Sequence, residues 1–228
     1  MGMITAHRIT AALLGGSMSG AQLETLLGTA SGLAGWKLCV ATESMRNLLM
    51  ADTTAKTAWT GSGKAVDAMA ALSTDGAAVI ADDSTLMASV FNTAARADAW
   101  FASATARAAI WTSDKALTAL AGSATGKARA RACAKYTVHT MPGSGSEQTF
   151  LEPMGTPGEK FILIGWGVNT GSISITLSGR REGSTVGLLS GNVGTSPTAA
   201  IDNVMAMKGP VKANFYGGYM GYFGAVRV

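Results

Sequence analysis

Charge is scarce in this 228-residue chain: Asp, Glu, Lys and Arg make up 14%, against roughly 25% in an ordinary soluble domain. Aromatic residues are also few, at 7%. Intrinsic disorder needs high charge and low hydropathy, and a mean hydropathy of +0.24 excludes it. No apolar run reaches the roughly 18 residues of a membrane-spanning helix. Two cysteines, Cys39 and Cys133, are too few for a disulfide scaffold. They read as two buried free thiols, with a bridge within or between chains as the alternative. The net charge of +4 is too mild to mark a nucleic-acid binder. What is plentiful is small: 29 glycines and long Ala-rich stretches. A chain with so few charges is expected to bury much of its surface against other copies.

Targeting signals are weak. Arg8 precedes a short apolar stretch from Ile9 to Leu14, but Gly15 and Gly16 interrupt it before it resembles a signal peptide. Met1-Gly2 is followed by Ala6 where myristoylation prefers Ser or Thr. No export signal and no lipid anchor is expected.

Composition divides the chain into residues 1–51, 52–134 and 135–228, and the shifts predict three architectures. In the first, Ser19 with Gln22 forms a capping-box signature, and Leu23, Leu26 and Leu27 follow at helical spacing. A further short helix is predicted from about Glu43.

The middle region repeats every ten residues: STDGAAVIAD, DSTLMASVFN, TAARADAWFA, SATARAAIWT, SDKALTALAG, SATGKARARA. The first position holds Ser73, Asp83, Thr93, Ser103, Ser113 and Ser123, all good helix N-cap residues. The eighth holds Ile80, Val90, Trp100, Ile110 and Leu120, and then Ala130. Two earlier repeats begin at Asp52 and Ser62, and one extra residue near Leu72 shifts their frame. Ten residues at about 100° each fall roughly 80° short of whole turns, so one straight helix would smear the apolar stripe around its surface. Recurrent caps solve this: each repeat is a helix of about two turns, after which the chain bends. Positions 4 or 5 and 8 then share a face. Helices this short are unstable alone and must stack on neighbours or on other chains. Strands and an overwound coiled coil are the alternatives.

The last region reads as all-β. Lys160 to Val168 is a near-continuous apolar run, and Ser172 to Ser178 alternates as its hairpin partner. Shorter candidates are Lys135 to His139, Ser184 to Leu189, Asn203 to Met207, Val211 to Tyr216 and Tyr222 to Val228, with a long loop over Pro142 to Pro157. About seven short strands predict a small sandwich of jelly-roll type. The fold class is therefore α+β: short N-terminal helices, a repeat shaft of stacked short helices, and a C-terminal β-sandwich.

Chemistry is hard to find. His7 and His139 are the only histidines, and neither has a ligand partner at zinc spacing. No nucleophile elbow, phosphate-binding glycine loop or carboxylate pair appears. The expectation is no enzyme: no catalytic residue, no cofactor, no metal. The run Lys127, Arg129, Arg131, Lys135 reads as a solvated cap on the repeat stack, and Arg180-Arg181 as a solvated corner. Tyr216, Tyr219 and Tyr222, among glycines, are candidate ligand contacts, since apolar sugar faces stack on rings; the rival reading is core or subunit interface. Trp166 reads as core.

The decads resemble a repeat of tailed-bacteriophage virion proteins of the tail-fibre, collar-fibre or neck-fibre type, whose idealised form is close to SATAMTAVAN. Ser103 to Thr112 and Ser113 to Gly122 match at the capping Ser, the internal Ala and the eighth position. Ser19 to Met50 is similar to the helical segment preceding such repeats, and GEKFILIGWGVNTGSISITLSGRR to the β domains that end them. The chain departs from the pattern in Trp100, Phe101 and Trp111. The resemblance implies a homotrimeric virion appendage, assembled in the host cytoplasm. It would dock to other virion proteins through its N-terminus and present a distal domain to a host surface, possible ligands including a glycan. The mild charge and the lack of a long apolar run lead to the expectation of no nucleic-acid partner and no membrane insertion. A glycan-recognition module and a host-encoded surface stalk or adhesin are the rival functions.

Overall fold

The protein is described from a computed structural model, covering residues 2–72, 74–141, 150–154, 157–168, 174–183, 186–188, 204–216 and 221–228. Its class is α+β: twelve described helices, then an antiparallel sheet.

The helices are α1 (Gly2–Leu14), α2 (Gly20–Leu26), α3 (Ala30–Cys39), α4 (Glu43–Ala51), α5 (Thr53–Thr60), α6 (Gly63–Leu72), α7 (Thr74–Ala81), α8 (Ser84–Asn92), α9 (Ala94–Ala102), α10 (Ala104–Thr112), α11 (Asp114–Gly122) and α12 (Ala124–Ala132). The stacked-helix reading of the repeat is what forms. The side chains of Asp52, Asp83, Ser103, Ser113 and Ser123 accept the backbone N–H of the first helical turn. Thr93 occupies the cap position but makes no such bond; its hydroxyl donates to the Ser89 carbonyl instead. Ser73 lies outside the described residues. The extra residue near Leu72 is taken up by α6, ten residues long where its successors have eight or nine.

The capped format starts before the repeats are legible. Ser19 closes a full capping box with Gln22, and Thr29 and Thr42 cap α3 and α4. Each cap of this kind is worth about 1 kcal/mol, enough to set where a two-turn helix begins.

The chain bends so that three helices complete a turn. Helix α7 packs on α10, α8 on α11 and α9 on α12, as α2 does on α5, α3 on α6 and α4 on α7. Thirty residues therefore advance the stack by one rung. The seam residues Ile80, Val90, Trp100, Ile110 and Leu120 are all buried inside this one chain. So are position 4 and 5 residues such as Ala77, Met87, Ala97, Ala106 and Ala116. The apolar surplus of the sequence is thus sealed rung on rung, and burial of the seam needs no second copy.

Seven described strands follow: β1 (Tyr136–Met141), β2 (Phe150–Met154), β3 (Lys160–Val168), β4 (Ser174–Arg180), β5 (Val186–Leu188), β6 (Met205–Tyr216) and β7 (Gly221–Arg227). They join in one hydrogen-bonded antiparallel sheet, ordered β1-β7-β3-β6-β4-β5, with β2 also on β6. This differs from two separately bonded sheets of a sandwich. The expected β3–β4 hairpin is not formed either, because β6 lies between them. The two shorter segments at 203–207 and 211–216 are one strand that changes partner from β3 to β2 across Gly209-Pro210.

Alternation along β3 gives the sheet two apolar faces. Ile162 and Ile164, with Ala206 and Val226, join the core of the helices. Phe161 and Leu163 are buried on the other side. A bulge between Leu163 and Gly165 shifts the register and sets Trp166 opposite Phe223, both buried.

Candidate interaction surfaces

Where the cations go decides which surfaces are left open. Arg46, Arg107 and Lys127 stand four residues after a cap, and all three are buried. Each donates to a carbonyl at the end of the preceding helix: Arg46 to Val40 (2.8 Å), Arg107 to Phe101 (2.6 Å) and Ala102 (3.0 Å), Lys127 to Ala121 (2.9 Å). These carbonyls have no partner within their own helix and carry its negative dipole end, so a cation there is stabilising.

Ion pairs join successive rungs. Arg46 meets Asp75 (2.7 Å), Lys56 meets Asp83 (2.5 Å), Arg96 meets Asp67 (3.3 Å), Lys115 meets Asp82 (3.2 Å) and Arg129 meets Asp98 (2.6 Å). Lys64 pairs with Glu24 at 2.8 Å. Although partly desolvated, Glu24 accepts from the Lys64 side chain and amide and from the Ser62 hydroxyl, and its carboxyl falls to about 2. Burial pushes Asp67 the other way, upward, against the pull of Arg96.

The basic run is accordingly not a solvated cap. Lys127 and Arg129 are held as above, and Arg131 donates to the Ile164 carbonyl of the sheet. Nor is Arg181 part of a solvated corner, although Arg180 beside it pairs, among the described residues, only with Glu182. Arg181 donates to the Trp111 carbonyl (2.8 Å) and pairs with Asp114 (2.5 Å). The Trp111 indole donates to the Met207 carbonyl at 2.9 Å, and Lys160 lies 4.6 Å above its ring. Trp111, which departs from the idealised repeat, is with Arg131 one of the side chains by which the sheet docks on the helices. Trp100 fills the seam, and Phe101 stacks on Phe91 at 5.9 Å.

Two hollows remain. The larger, about 820 Å³, is lined by α1, α3 and α4 at the end of the stack away from the sheet; Ile4, Arg8, Leu38 and Met45 are among its walls. Its floor is Cys39, whose thiol donates to the Ala6 carbonyl (3.0 Å) and accepts from the Thr10 hydroxyl (3.3 Å). Burial pushes that thiol upward, away from the reactive thiolate form. Cys39 and Cys133 are both free.

The smaller hollow, about 310 Å³, opens on the sheet between Lys135, Thr137, His139, Glu159, Phe161 and Arg227. His139 meets Phe161 edge-on at 6.0 Å and shares a 2.9 Å hydrogen bond with Thr137. Burial lowers its pKa, and the charge of Glu159 opposes that shift. Arg227 and Glu159 form an ion pair. Sequence reasoning missed this group because its members come from three separate segments.

Of the tyrosines singled out as ligand contacts, Tyr216 and Tyr222 lie in β6 and β7, and their side chains are outside the described residues, as is Tyr219 altogether. His7, on α1, and His139, on β1, lie in separate parts of the fold. Among the described residues no group of three or more His, Cys, Asp or Glu side chains is placed to hold a metal. No described helix is long and apolar enough to cross a membrane. No protein-family model matches the sequence, and comparison with the curated proteins finds no match.

Proposed function

We propose that the chain is a structural, non-enzymatic component of a bacteriophage virion: a short, stiff element of the neck, collar or tail, assembled in the host cytoplasm. Its N-terminal end attaches to other virion proteins, and its β domain faces outward. The observation that carries this reading is the repeat itself. Decads that resemble those of phage fibres fold here into a stack in which every rung is tied to the next by caps and ion pairs, an architecture suited to holding two ends at a fixed separation.

The domain division at 51/52 and 134/135 belongs to the same proposal, with the first part docking, the second spacing and the third exposed. So does the homotrimer. The seam is filled within one chain, so the trimer draws its support from the resemblance rather than from the stack. Three weak distal contacts on one particle would gain avidity without strong individual binding.

The direct test is imaging of intact particles carrying a labelled C-terminus. Label at the neck, collar or tail in symmetry-related copies is expected; purified particles without the protein would refute the reading. Light scattering of the full chain should give a trimer, and a monomer at micromolar concentration would remove that part.

A second reading, glycan recognition by the β domain, is favoured by the hollow at His139. Cations, a carboxylate and ring edges at one opening suit a hydroxylated, anionic ligand. A glycan array probed with the full chain, and with Lys135→Ala, tests it: binding lost in the variant is expected, and a blank array contradicts it.

A further inference from the structure

Along the stack, cations that face a neighbouring rung are answered by carboxylates: Arg46 by Asp75, Arg96 by Asp67, Lys115 by Asp82, Arg129 by Asp98. Apolar faces are answered too, each by a helix about thirty residues along. At the end away from the sheet both rules stop. Met3 and Ile4 on α1 are 82% and 64% exposed, and Leu38 on α3 is 49% exposed. They border the 820 Å³ groove, whose lining includes His7 and Arg8 but no acidic residue. Arg8 has no carboxylate partner among the described residues. The charged or titratable groups on the three elements that form the groove are His7, Arg8, Lys37, Cys39, Glu43 and Arg46, and Arg46 is turned inward onto Val40 and Asp75. The opening is therefore apolar with the Arg8 cation at its rim, and its floor is fixed by the Cys39 bonds.

We propose that this groove receives an amphipathic helix of a partner protein, which continues the stack by one rung. That helix lays small and apolar side chains on Ile4, Leu38 and Met45 and offers a carboxylate to Arg8. A second copy of this chain is the wrong occupant on charge grounds, because two such ends would set Arg8 against Arg8, and the groove lining holds no carboxylate to answer either. The fold also fixes the size of the guest. The rungs it would imitate are helices of eight to ten residues, so about 12–15 Å of helix is enough. This inference names the chemistry of the partner expected at the N-terminal end, and rests on the docking part of the reading above. It does not need the particle to be a phage.

The test uses the full-length chain and two stapled 15-residue Ala/Leu helices. They are identical except that one carries Glu and the other Lys beside the apolar face, and binding is read by fluorescence anisotropy. The Glu helix should bind at least about tenfold more tightly than the Lys helix, a difference of about 1.4 kcal/mol. Arg8→Glu should reverse the order, and added salt should weaken only the preferred pairing. Leu38→Asp, at an exposed position, should abolish binding of both with an unchanged melting curve. Equal affinities, no binding of either peptide by the wild-type chain, or a dimer that dissociates on Ile4→Asp would each overturn the proposal. Loss of the virion assignment by imaging would leave these peptide results standing, so the two failures are separable.

Discussion

The hydroxyl of Ser123 accepts the Gly126 amide at 2.9 Å and donates to the Phe91 carbonyl at 3.0 Å, thirty-two residues earlier. Ser113 does the same between Ala116 and the Ala81 carbonyl, at 3.2 and 2.6 Å. One side chain thus starts its own helix and closes the end of the helix a full rung away. A hydroxyl can do both because it donates and accepts; a carboxylate only accepts. That is a physical reason for serine at these caps.

Replacing this group tests the double role. Ser123→Ala should cost about 2–3 kcal/mol, since it removes a cap and leaves a buried carbonyl without its donor. Ser103 caps Ala106 at 3.2 Å and donates to no carbonyl among the described residues, so Ser103→Ala should cost only about 1 kcal/mol. Ser123→Asp should fare no better than Ser123→Ala, because it sets a carboxylate against the Phe91 carbonyl. Urea unfolding of the three variants checks the order.

Close approach at Gly126 gives a second prediction. A Cβ there would sit 2.8 Å from the Phe91 Cβ, closer than packed carbons allow. Gly126→Ala should destabilise by about 1–3 kcal/mol from overpacking, although Ala is the better helix former. Thermal unfolding is the measurement, and a gain in melting temperature would refute the packing at this rung.

Trp111 offers a third. Trp111→Phe keeps a ring against the sheet but removes the bond to the Met207 carbonyl, at a cost of about 1–2 kcal/mol. Amide exchange should quicken first in β3 and β6, with α5 to α9 unchanged. Uniform loss of protection across the helices would show that Trp111 belongs to the stack rather than to the junction.

Acid stability follows from Glu24. Its folded pKa is lowered to about 2 from the ordinary 4.5, so the folded state favours the ionised form. That contribution is present above pH 4.5 and is lost as pH falls toward 2. Asp83 is lowered too, against its own desolvation, by the Lys56 contact and the Leu86 and Thr85 amides, and adds in the same direction. Glu24→Gln should lower stability at neutral pH and flatten the fall between those values. A wild-type curve flat across that window would contradict the Glu24 contacts.

How much of this was legible depends on how far apart the partners lie. The caps at Asp83, Ser103, Ser113 and Ser123 and the seam from Ile80 to Leu120 were legible, because cap and face are local properties of a two-turn helix. A period of ten says that the chain bends, but not that three bends close a turn. For that reason the low charge pointed to burial between copies, while the seam lies within one. The run at Lys127, Arg129 and Arg131 was misread for the same cause: the acceptors Asp98 and Ile164 are more than thirty residues away. Strand β2 fell in a stretch whose Gly and Ser read as loop, and β6 hid as two segments because Gly209-Pro210 interrupts its alternation. The groove at α1 left no sequence signature, since Ile4, Leu38 and Met45 come together only when α3 and α4 fold back on α1.

The central claim is that each rung is closed by its own chain. Cysteines at Asp98 and Arg129, in a background with Cys39 and Cys133 replaced by Ser, can be joined by a short bismaleimide in an equal mixture of light- and heavy-nitrogen protein. Mass spectrometry of the linked peptides should show pairs of one isotope only. Mixed-isotope pairs at the statistical ratio would mean that neighbouring chains supply the rungs, and the single-chain stack would fall.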